Sequence, residues 1–282
     1  MKKIAKLLYE LTINLFESVV SLFSVLFFSR QGKPNLKGLE KNIMDKTSCT
    51  ILGNGPSLKE TINNSKEQFE GVRSMVVNNF CNDPFFFELK PRYYIVIDPA
   101  YFRNYEQDRD APLFIEKMKM VDWEIVLIAP YEFKKCGVQE AINNPNIKYC
   151  YINTTPVSGI QCISLFLYKH NWGMPRPQNV LNAAIFCAIN MGFESIKVYG
   201  ADHSWSKDVG VYKNNKVCYV ENHFYDREKT YSEMPGFTIS SFFLALSQAF
   251  DSHIRLRKYA DKKGIKIINC TPESFIDAYE RE

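Results

Sequence analysis

A short glycine turn carries the strongest chemical signal in the chain. An apolar run at 49–52 predicts a buried strand, the sequence Gly53-Asn54-Gly55-Pro56-Ser57 ends it, and a helical pattern follows. Strand, glycine turn and helix start together form a corner that binds phosphate in many α/β proteins. Glycines let a ligand approach the backbone, Pro56 stiffens the exit, and Ser57 can cap the helix or bind a phosphate oxygen. A turn that simply links strand to helix is the alternative.

Polar residues and one glycine follow the ends of several predicted strands. They are Asn54, Asn78, Asn79, Asp98, Gly200, Asp202 and His203. In an open parallel sheet, ligands bind in the crevice beyond the carboxyl ends of the strands. The repetition of polar strand ends therefore favours one ligand cleft, although Asn and Asp also favour turns and each residue taken alone has that explanation.

The segment 203–235 is polar and aromatic, and it predicts a lid or an acceptor-binding insertion. Its aromatic rings suit a sugar face or a nucleobase, and a small satellite core is the alternative. His223 is the best candidate for a general base, because imidazole titrates near neutral pH. His203 is the second candidate, and a structural role stays open for both. His170 and His253 lie in patterns typical of a helix surface.

Apolar runs alternate with helical patterns through the rest of the chain. Strands are predicted at 49–52, 72–80, 93–97, 123–129, 147–152, 195–199 and 265–268, and long helices at 179–191 and 242–263. Nearly continuous apolar strands between helices are typical of a parallel sheet covered on both faces. The predicted fold class is therefore α/β, with a Rossmann-like, doubly wound and mostly parallel sheet.

The composition is that of an ordinary globular protein, with 46% apolar and 23% charged residues in a chain of 282. A net charge of +4 without a run rich in Arg and Lys argues against nucleic acid as a partner. The eight cysteines are scattered and form no C-x-x-C pair, which indicates free thiols in a reducing cytoplasm.

Residues 1–30 have a helical pattern with a wide apolar face and a narrow polar stripe. Asn14 and Glu17, in the middle of the stretch, disfavour a membrane-spanning helix. The pattern favours a helix in the membrane interface, with the lysines near its start close to anionic headgroups. Packing on the protein's own core or on a partner helix is the alternative. Residues 31–46 are predicted as a linker, and 47–282 as one domain with a lid at about 203–235.

The motifs, taken in order, resemble those of the bacterial lipooligosaccharide sialyltransferases, glycosyltransferase family 42. The turn at 53–58 is similar to the start of that family, and Val-Asn-Asn-Phe at 77–80 to its Cys-Asn-Gln-Phe segment. The segments 97–102 and 176–205 continue the likeness, which covers roughly residues 49–278. It also extends to a wider group that includes the flagellin motility accessory factors and archaeal hydroxymethylpterin diphosphokinase-like proteins.

The resemblance implies a GT-A-type domain that uses a CMP-activated nonulosonic acid without a metal or other cofactor. By position, Asn54 and Gly55 would approach the donor phosphate, and Asn79 and Asp98 the nucleotide. Gln178 and Asn179 stand near the family's Thr-Ser pair, Tyr212 and Tyr219 near its lid tyrosines, and His223 near its catalytic histidine. Asp98 stands where that family has an Asn.

These observations lead to one leading hypothesis and two alternatives. The leading hypothesis is an inverting, metal-independent glycosyltransferase that moves a sugar from a nucleotide-linked donor to a cell-surface glycan or a lipid-linked acceptor. It would act in the cytoplasm, at the inner face of the cell membrane, and homo-oligomers are common among such enzymes. The first alternative is a Mg²⁺-dependent pyrophosphokinase with carboxylates such as Asp98 and Asp202 as ligands. The second is a non-catalytic nucleotide-binding scaffold, for which residues 1–30 would bind a protein.

Overall fold

The structure is a computed structural model, and it describes residues 2–27, 29, 36–40, 47–103, 105, 110–221, 223–225 and 230–282. Most of the predicted linker at 31–46 therefore lies outside the described residues. Its segment Leu36–Glu40 forms a short 3₁₀ turn. Leu36 is fully buried in the same core as the long apolar helix at 180–191, so this part of the segment packs onto the domain.

The described residues form eleven strands. They are β1 (Ser48–Leu52), β2 (Ser74–Val77), β3 (Tyr93–Ile95), β4 (Ile125–Pro130), β5 (Ile147–Ile152), β6 (Ser195–Tyr199), β7 (Gly210–Val211), β8 (Val217–Glu221), β9 (Thr230–Glu233), β10 (Lys266–Asn269) and β11 (Glu280–Arg281). Eight of them form one parallel sheet in the order β11-β10-β6-β1-β2-β3-β4-β5. The predicted doubly wound, parallel α/β fold is confirmed.

Helices cover both faces of this sheet. The α-helices of the described residues are α1 (Lys2–Phe27), α2 (Ser57–Ser65), α3 (Phe85–Leu89), α4 (Ala111–Lys119), α5 (Val138–Ile142), α6 (Gln161–Lys169), α7 (Val180–Met191) and α8 (Ile239–Lys262). One core lies between the sheet and helices α6, α7 and α8, and a second lies between the opposite face and helices α2 to α5. Because both faces are covered, the central strands are apolar at nearly every position.

Helix α7 is the central helix of the first core, and it is buried at all 12 positions. Asn179 caps its N-terminus by accepting the N–H of Leu181 at 2.7 Å, within a capping box completed by Asn182. Gly192 ends the helix with a φ of 92°, in the left-handed region that glycine adopts without strain. The cap places Asn179 at the carboxyl edge of the sheet, beside the turn that follows β1.

The strand order of the sheet reverses at the neighbouring strands β1 and β6. From β1 it builds β2 to β5 on one side, and then it crosses back to place β6, β10 and β11 on the other. At such a switch point the loops after two neighbouring strands diverge and leave a crevice between them. Here those loops are the glycine turn after Leu52 and the segment that starts at Gly200.

Strands β7, β8 and β9 form a small antiparallel sheet inside the segment predicted as a lid, 203–235. Val217, Cys218 and Val220 are buried there, so the segment has a satellite core of its own as well as a place beside the crevice. Phe224 ties it to the main domain, because its N–H donates to the carbonyl oxygen of Asn54 at 3.1 Å.

Candidate functional site

A cavity of about 190 Å³ opens at the switch point between β1 and β6. Five separate chain segments supply its walls: the glycine turn, the end of β2, the start of α7, the segment after β6 and the lid sheet. The residues predicted from sequence that line it are Asn54, Gly55, Pro56, Asn78, Asn179, Gly200, Asp202, His203, Tyr219 and His223. These residues are therefore brought together at the carboxyl edge of the sheet, where ligands bind in this type of fold.

The glycines of the site are required by a close contact between two loops. A Cβ atom on Gly53 would lie 2.4 Å from the carbonyl oxygen of Gly200, and one on Gly55 would lie 1.9 Å from Oδ2 of Asp202. The N–H of Gly53 donates to the carbonyl oxygen of Tyr199 at 2.8 Å, and that of Gly55 to Gly200 at 2.9 Å. These two amides bind the neighbouring loop, so they are not available to a phosphate group.

The carboxylate of Asp202 occupies the N-terminus of helix α2. Its Oδ1 accepts the N–H of Ser57 at 3.1 Å, and its Oδ2 accepts the Ser57 hydroxyl at 2.8 Å. Burial raises the pKa of Asp202, while the two Ser57 donors oppose that rise. The chain's own carboxylate thus lies where the sequence led us to expect the donor phosphate. This corrects the expected phosphate position, and Ser57 itself does not line the cavity.

Substitution of Gly53 by Ala is expected to destabilise the fold by about 1–3 kcal/mol, because its methyl group has no room beside the Gly200 backbone. Gly210→Ala is the matched control, since a Cβ there meets its nearest neighbour, the Cys218 sulfur, at an ordinary 3.6 Å. Urea unfolding of both variants would measure the difference. Equal stability of the two would mean that the loops after β1 and β6 separate easily.

Two buried amide oxygens of the cavity wall have no hydrogen-bond partner among the described residues. They are Oδ1 of Asn54 and Oδ1 of Asn78. Asn54 is held in place because its Nδ2 donates to the carbonyl oxygen of Val77 at 3.2 Å. A buried oxygen without a donor costs about 1–3 kcal/mol. An N–H or O–H donor of a bound ligand would remove this cost.

His203 lines the cavity and belongs to a buried chain of hydrogen bonds. Its Nε2 lies 3.0 Å from Nε2 of His253, whose Nδ1 lies 2.9 Å from the hydroxyl oxygen of Tyr279. Burial lowers the pKa of His203 to about 3 and that of His253 well below its usual range. Both rings are therefore neutral near pH 7, and one Nε2 must donate its proton to the other. Because burial holds its pKa so far below neutral pH, His203 is poorly suited to be the general base.

The position predicted for His253 was wrong. Its sequence pattern suggested a helix surface, but the side chain is completely buried. Leu256 and Tyr259 lie near it on α8 and are buried as well, because this side of the helix packs on the sheet and on the loop after β6. Its two hydrogen-bond partners are 50 and 26 residues away in the chain, so no local pattern could have shown them.

His223 lies at the cavity on the short segment after β8, and it is half-buried. Its ring stacks on that of Tyr225, with centroids 5.0 Å apart and planes 6° from parallel. Phe224, between them, binds the Asn54 carbonyl oxygen through its N–H and packs its buried ring on Phe80. These contacts fix His223 beside the glycine turn, with Tyr219 of β8 in the same wall.

The two residues expected at the nucleotide, Asn79 and Asp98, lie outside the cavity wall. Asn79 donates from Nδ2 to Oδ2 of Asp110 at 2.8 Å and accepts the Tyr101 hydroxyl at its Oδ1. Asp98 is exposed, and it caps a short turn by accepting the N–H of Ala100 at 3.0 Å. The side chains of Asn79 and Asp98 thus bind partners outside the cavity wall. The structure does not bring them to the rest of the predicted site.

Gln178 and Tyr212 are also apart from the cavity. Gln178 is exposed, one residue before the Asn179 cap that does line the cavity. Tyr212 is 38% exposed and lies at the turn between β7 and β8, where its N–H donates to the carbonyl oxygen of Lys216. Of the two candidate lid tyrosines, Tyr219 is therefore the one at the cavity.

Several residues of the cavity wall were not selected from the sequence. They are Val77, Val180, Leu181, Ser204, Trp205, Asp208 and Val220. The ring of Trp205 packs on His203, with centroids 4.6 Å apart. Asp208 adds a second carboxylate to the wall besides Asp202. Some of them could have been found because they lie close along the chain to predicted residues. The segment 200–208 alone supplies six residues of the wall.

The chain belongs to the 6-hydroxymethylpterin diphosphokinase MptE-like family, whose model matches residues 26–208. This result confirms the resemblance to the wider group predicted from the sequence motifs. The match includes strands β1 to β6, the glycine turn, Asp202 and Asp208. It ends before the three strands of the lid sheet, so His223 lies outside it.

Similar solved structures extend the comparison of the fold. The Maf glycosyltransferase from Magnetospirillum magneticum AMB-1 is similar with a TM-score of 0.50 and 14% identity over 84% of this chain. The chain spans only 33% of that protein's chain. A mammalian sialyltransferase gives a TM-score of 0.36 and 14% identity over 88% of this chain and 84% of its own. No curated protein matches the sequence. At these identities the first likeness concerns the fold alone, and the second score is too low to support an argument.

Proposed function

We propose that this chain is a nucleotide-dependent glycosyltransferase whose donor binds in the cavity between β1 and β6. The observation that carries the proposal is the position of His223. This imidazole stands at the cavity on a lid segment that the Phe224–Asn54 hydrogen bond holds against the glycine turn. An imidazole beside such a crevice can take the proton of an acceptor hydroxyl near neutral pH.

The proposed reaction is a single displacement with inversion at the anomeric carbon. The acceptor oxygen attacks that carbon while His223 takes the acceptor proton. The bond between the sugar and the leaving phosphate breaks, and the phosphate departs with the electron pair. In this proposal Tyr219, which lines the same wall, donates a hydrogen bond to the departing phosphate. The N-terminus of α2 does not serve this purpose, because Asp202 already binds the Ser57 amide.

The donor class follows from the acceptors in the wall together with the resemblance found in the sequence. Asn54 and Asn78 offer unpartnered amide oxygens to hydroxyl and amino groups of a nucleotide. We propose a CMP-linked nonulosonic acid as donor and a cell-surface glycan or a lipid-linked glycan as acceptor. In this proposal no metal takes part, and His223, Tyr219 and the two asparagines act on the donor and acceptor directly.

A Mg²⁺-dependent diphosphokinase is the second candidate, and one observation favours it. Asp202 and Asp208 both line the cavity, beside the oxygens of Asn54 and Asn78. Oxygen ligands of this kind fit Mg²⁺, which would offset the charge of ATP phosphates when bound there. The family to which the chain belongs is also described by such an activity. Asp98, expected as a ligand from the sequence, does not line this wall, so Asp208 replaces it in the hypothesis.

Thermal unfolding with CMP, CDP, UDP, GDP, ADP and ATP, each with and without Mg²⁺, separates the two candidates. A ligand that binds the native state raises the melting temperature by mass action, so the test needs no substrate. A shift with CMP that is independent of Mg²⁺ is the expected result. A shift with ATP that needs Mg²⁺ and disappears in Asp208→Asn would overturn the proposal in favour of the diphosphokinase. No shift with any nucleotide would contradict both candidates.

A further inference from the structure

Helix α1 contacts the domain through its polar stripe. The hydroxyl oxygen of Ser18 accepts the N–H of Ile160 at 2.7 Å, and that of Ser21 accepts the N–H of Ser158 at 2.9 Å. Both serines are buried, with 1% and 3% of their surface exposed. Gly159 lies against the helix so closely that a Cβ atom there would be 2.4 Å from the Ser18 hydroxyl oxygen. The helix therefore lies directly on the loop at 158–160.

Further contacts fix the second half of α1 along the domain surface. Glu17 pairs with Arg255 of α8 at 3.6 Å. Beyond the helix end, Asn153 donates from Nδ2 to the hydroxyl oxygen of Ser29 at 2.5 Å. These contacts span residues 17 to 29, so this half of the helix cannot leave the domain without losing buried hydrogen bonds.

The opposite side of α1 is apolar and exposed. Among its exposed apolar residues are Leu8, Phe16, Val19, Phe23 and Phe27. Residues 3–13 are exposed on every side of the helix. A continuous apolar surface of this extent marks a site of interaction with a protein or a membrane.

We propose that α1 lies in the plane of an anionic lipid bilayer, with its apolar face among the acyl chains and its polar stripe held by the domain. The charges fit such a surface, because Lys3 and Lys6 are exposed in the first two turns and Lys258 of α8 borders the same side. Ile254, which is exposed one turn before Lys258 on α8, adds an apolar side chain beside that lysine.

Two other arrangements fit the structure less well. By length and composition α1 could cross a membrane. However, only residues 3–13 are exposed on every side of the helix, and 11 residues are about 16 Å long, roughly half of the hydrocarbon core. A second copy of the chain would cover one side of residues 3–13 and leave the other side in water, whereas lipid covers the whole apolar face. The inference does not depend on the reaction in the cavity.

Flotation of the purified full chain with vesicles tests the proposal. Binding is expected to phosphatidylcholine vesicles that contain phosphatidylglycerol, and it should weaken several-fold in high salt or in Lys3→Glu/Lys6→Glu. Leu8→Glu/Phe16→Glu should abolish it, because charge on the apolar face cannot enter the acyl region. Met120→Glu is the matched control: Met120 is 63% exposed at the end of α4, which covers the other face of the sheet.

Sodium carbonate extraction and light scattering supply the opposing outcomes. An in-plane helix should be released from membranes by carbonate at high pH, and retention would mean that α1 spans the bilayer. A second copy would cover the apolar face if the native chain formed a dimer in solution and did not bind vesicles. In that case Leu8→Glu/Phe16→Glu would convert the dimer to a monomer. The melting temperature of each variant should equal that of the native chain, since all substituted side chains are exposed. Either contrary result overturns the bilayer proposal and leaves the nucleotide test of the cavity unaffected.

Discussion

Replacing His223 with Ala is expected to lower the rate of sugar transfer by about 10²- to 10⁴-fold, the usual contribution of a general base. The acceptor hydroxyl would then have to lose its proton to water. The nucleotide should still bind, because the unpartnered oxygens of Asn54 and Asn78 and the rest of the cavity wall are unchanged. Single-turnover kinetics with a sugar donor linked to the nucleotide that the panel identifies would measure the rate, and thermal shifts would measure nucleotide binding.

His170→Ala is the matched control for this experiment. His170 is also a partly exposed histidine with a local contact, since its Nδ1 lies 2.8 Å from the Phe166 carbonyl oxygen. It directly follows α6 and is not part of the cavity wall. Its substitution should leave transfer unchanged. Near-native turnover in His223→Ala would remove this residue from the mechanism. A rate that falls together with nucleotide affinity would make His223 a binding residue.

The fold could be predicted because its signals are local. Strands such as Ile125–Pro130 are buried on both sides, so almost every residue in them is apolar and the run stands out in the sequence. Helix α7 carries its own cap and its own stop in Asn179 and Gly192. The lid sheet gave no such signal, because its strands are only two to five residues long and mix buried and exposed positions.

The sequence predicted which strand ends meet at the candidate site, but it predicted only some of the contacts there. The polar ends of β1, β2 and β6 do meet at one cavity, as parallel strands require. The contact of Asp202 with Ser57 joins residues 145 positions apart, and nothing in the glycine turn indicates that its helix end already holds a carboxylate. Asp98 was expected at the site for the opposite reason, because its contact is local and its position after a strand resembles that of a ligand-binding residue. A polar residue after a strand has a local use as a turn cap, and here that use prevails.

The buried histidine pair leads to a second large effect, a loss of stability in mild acid. In the unfolded chain both rings take up a proton below about pH 6.5, whereas in the native state burial keeps the pKa of His203 and of His253 far lower. The unfolded state therefore binds more protons, and native stability falls as the pH falls below about 6.5. Between about pH 6.5 and about pH 5, each ring lowers the free energy of unfolding by about 2 kcal/mol. Around the pair stand Trp205, Phe250 and Tyr279, none of which carries a charge at these pH values.

His253→Gln should remove about half of this acid sensitivity, because an amide can keep both hydrogen bonds without taking up a proton. Its carbonyl oxygen can accept the Tyr279 hydroxyl while its N–H group donates to Nε2 of His203, so the loop after β6 stays in place. Urea unfolding at several pH values between about 5 and 7 gives the slope of the free energy of unfolding against pH, for the native chain and for the variant. His170→Gln is the control, and it should keep the native slope because His170, directly after α6, takes no part in the buried chain of hydrogen bonds. A native chain equally stable across this range would mean that the pair accepts a proton while folded. His203 would then regain its place as a candidate base in the wall of the cavity.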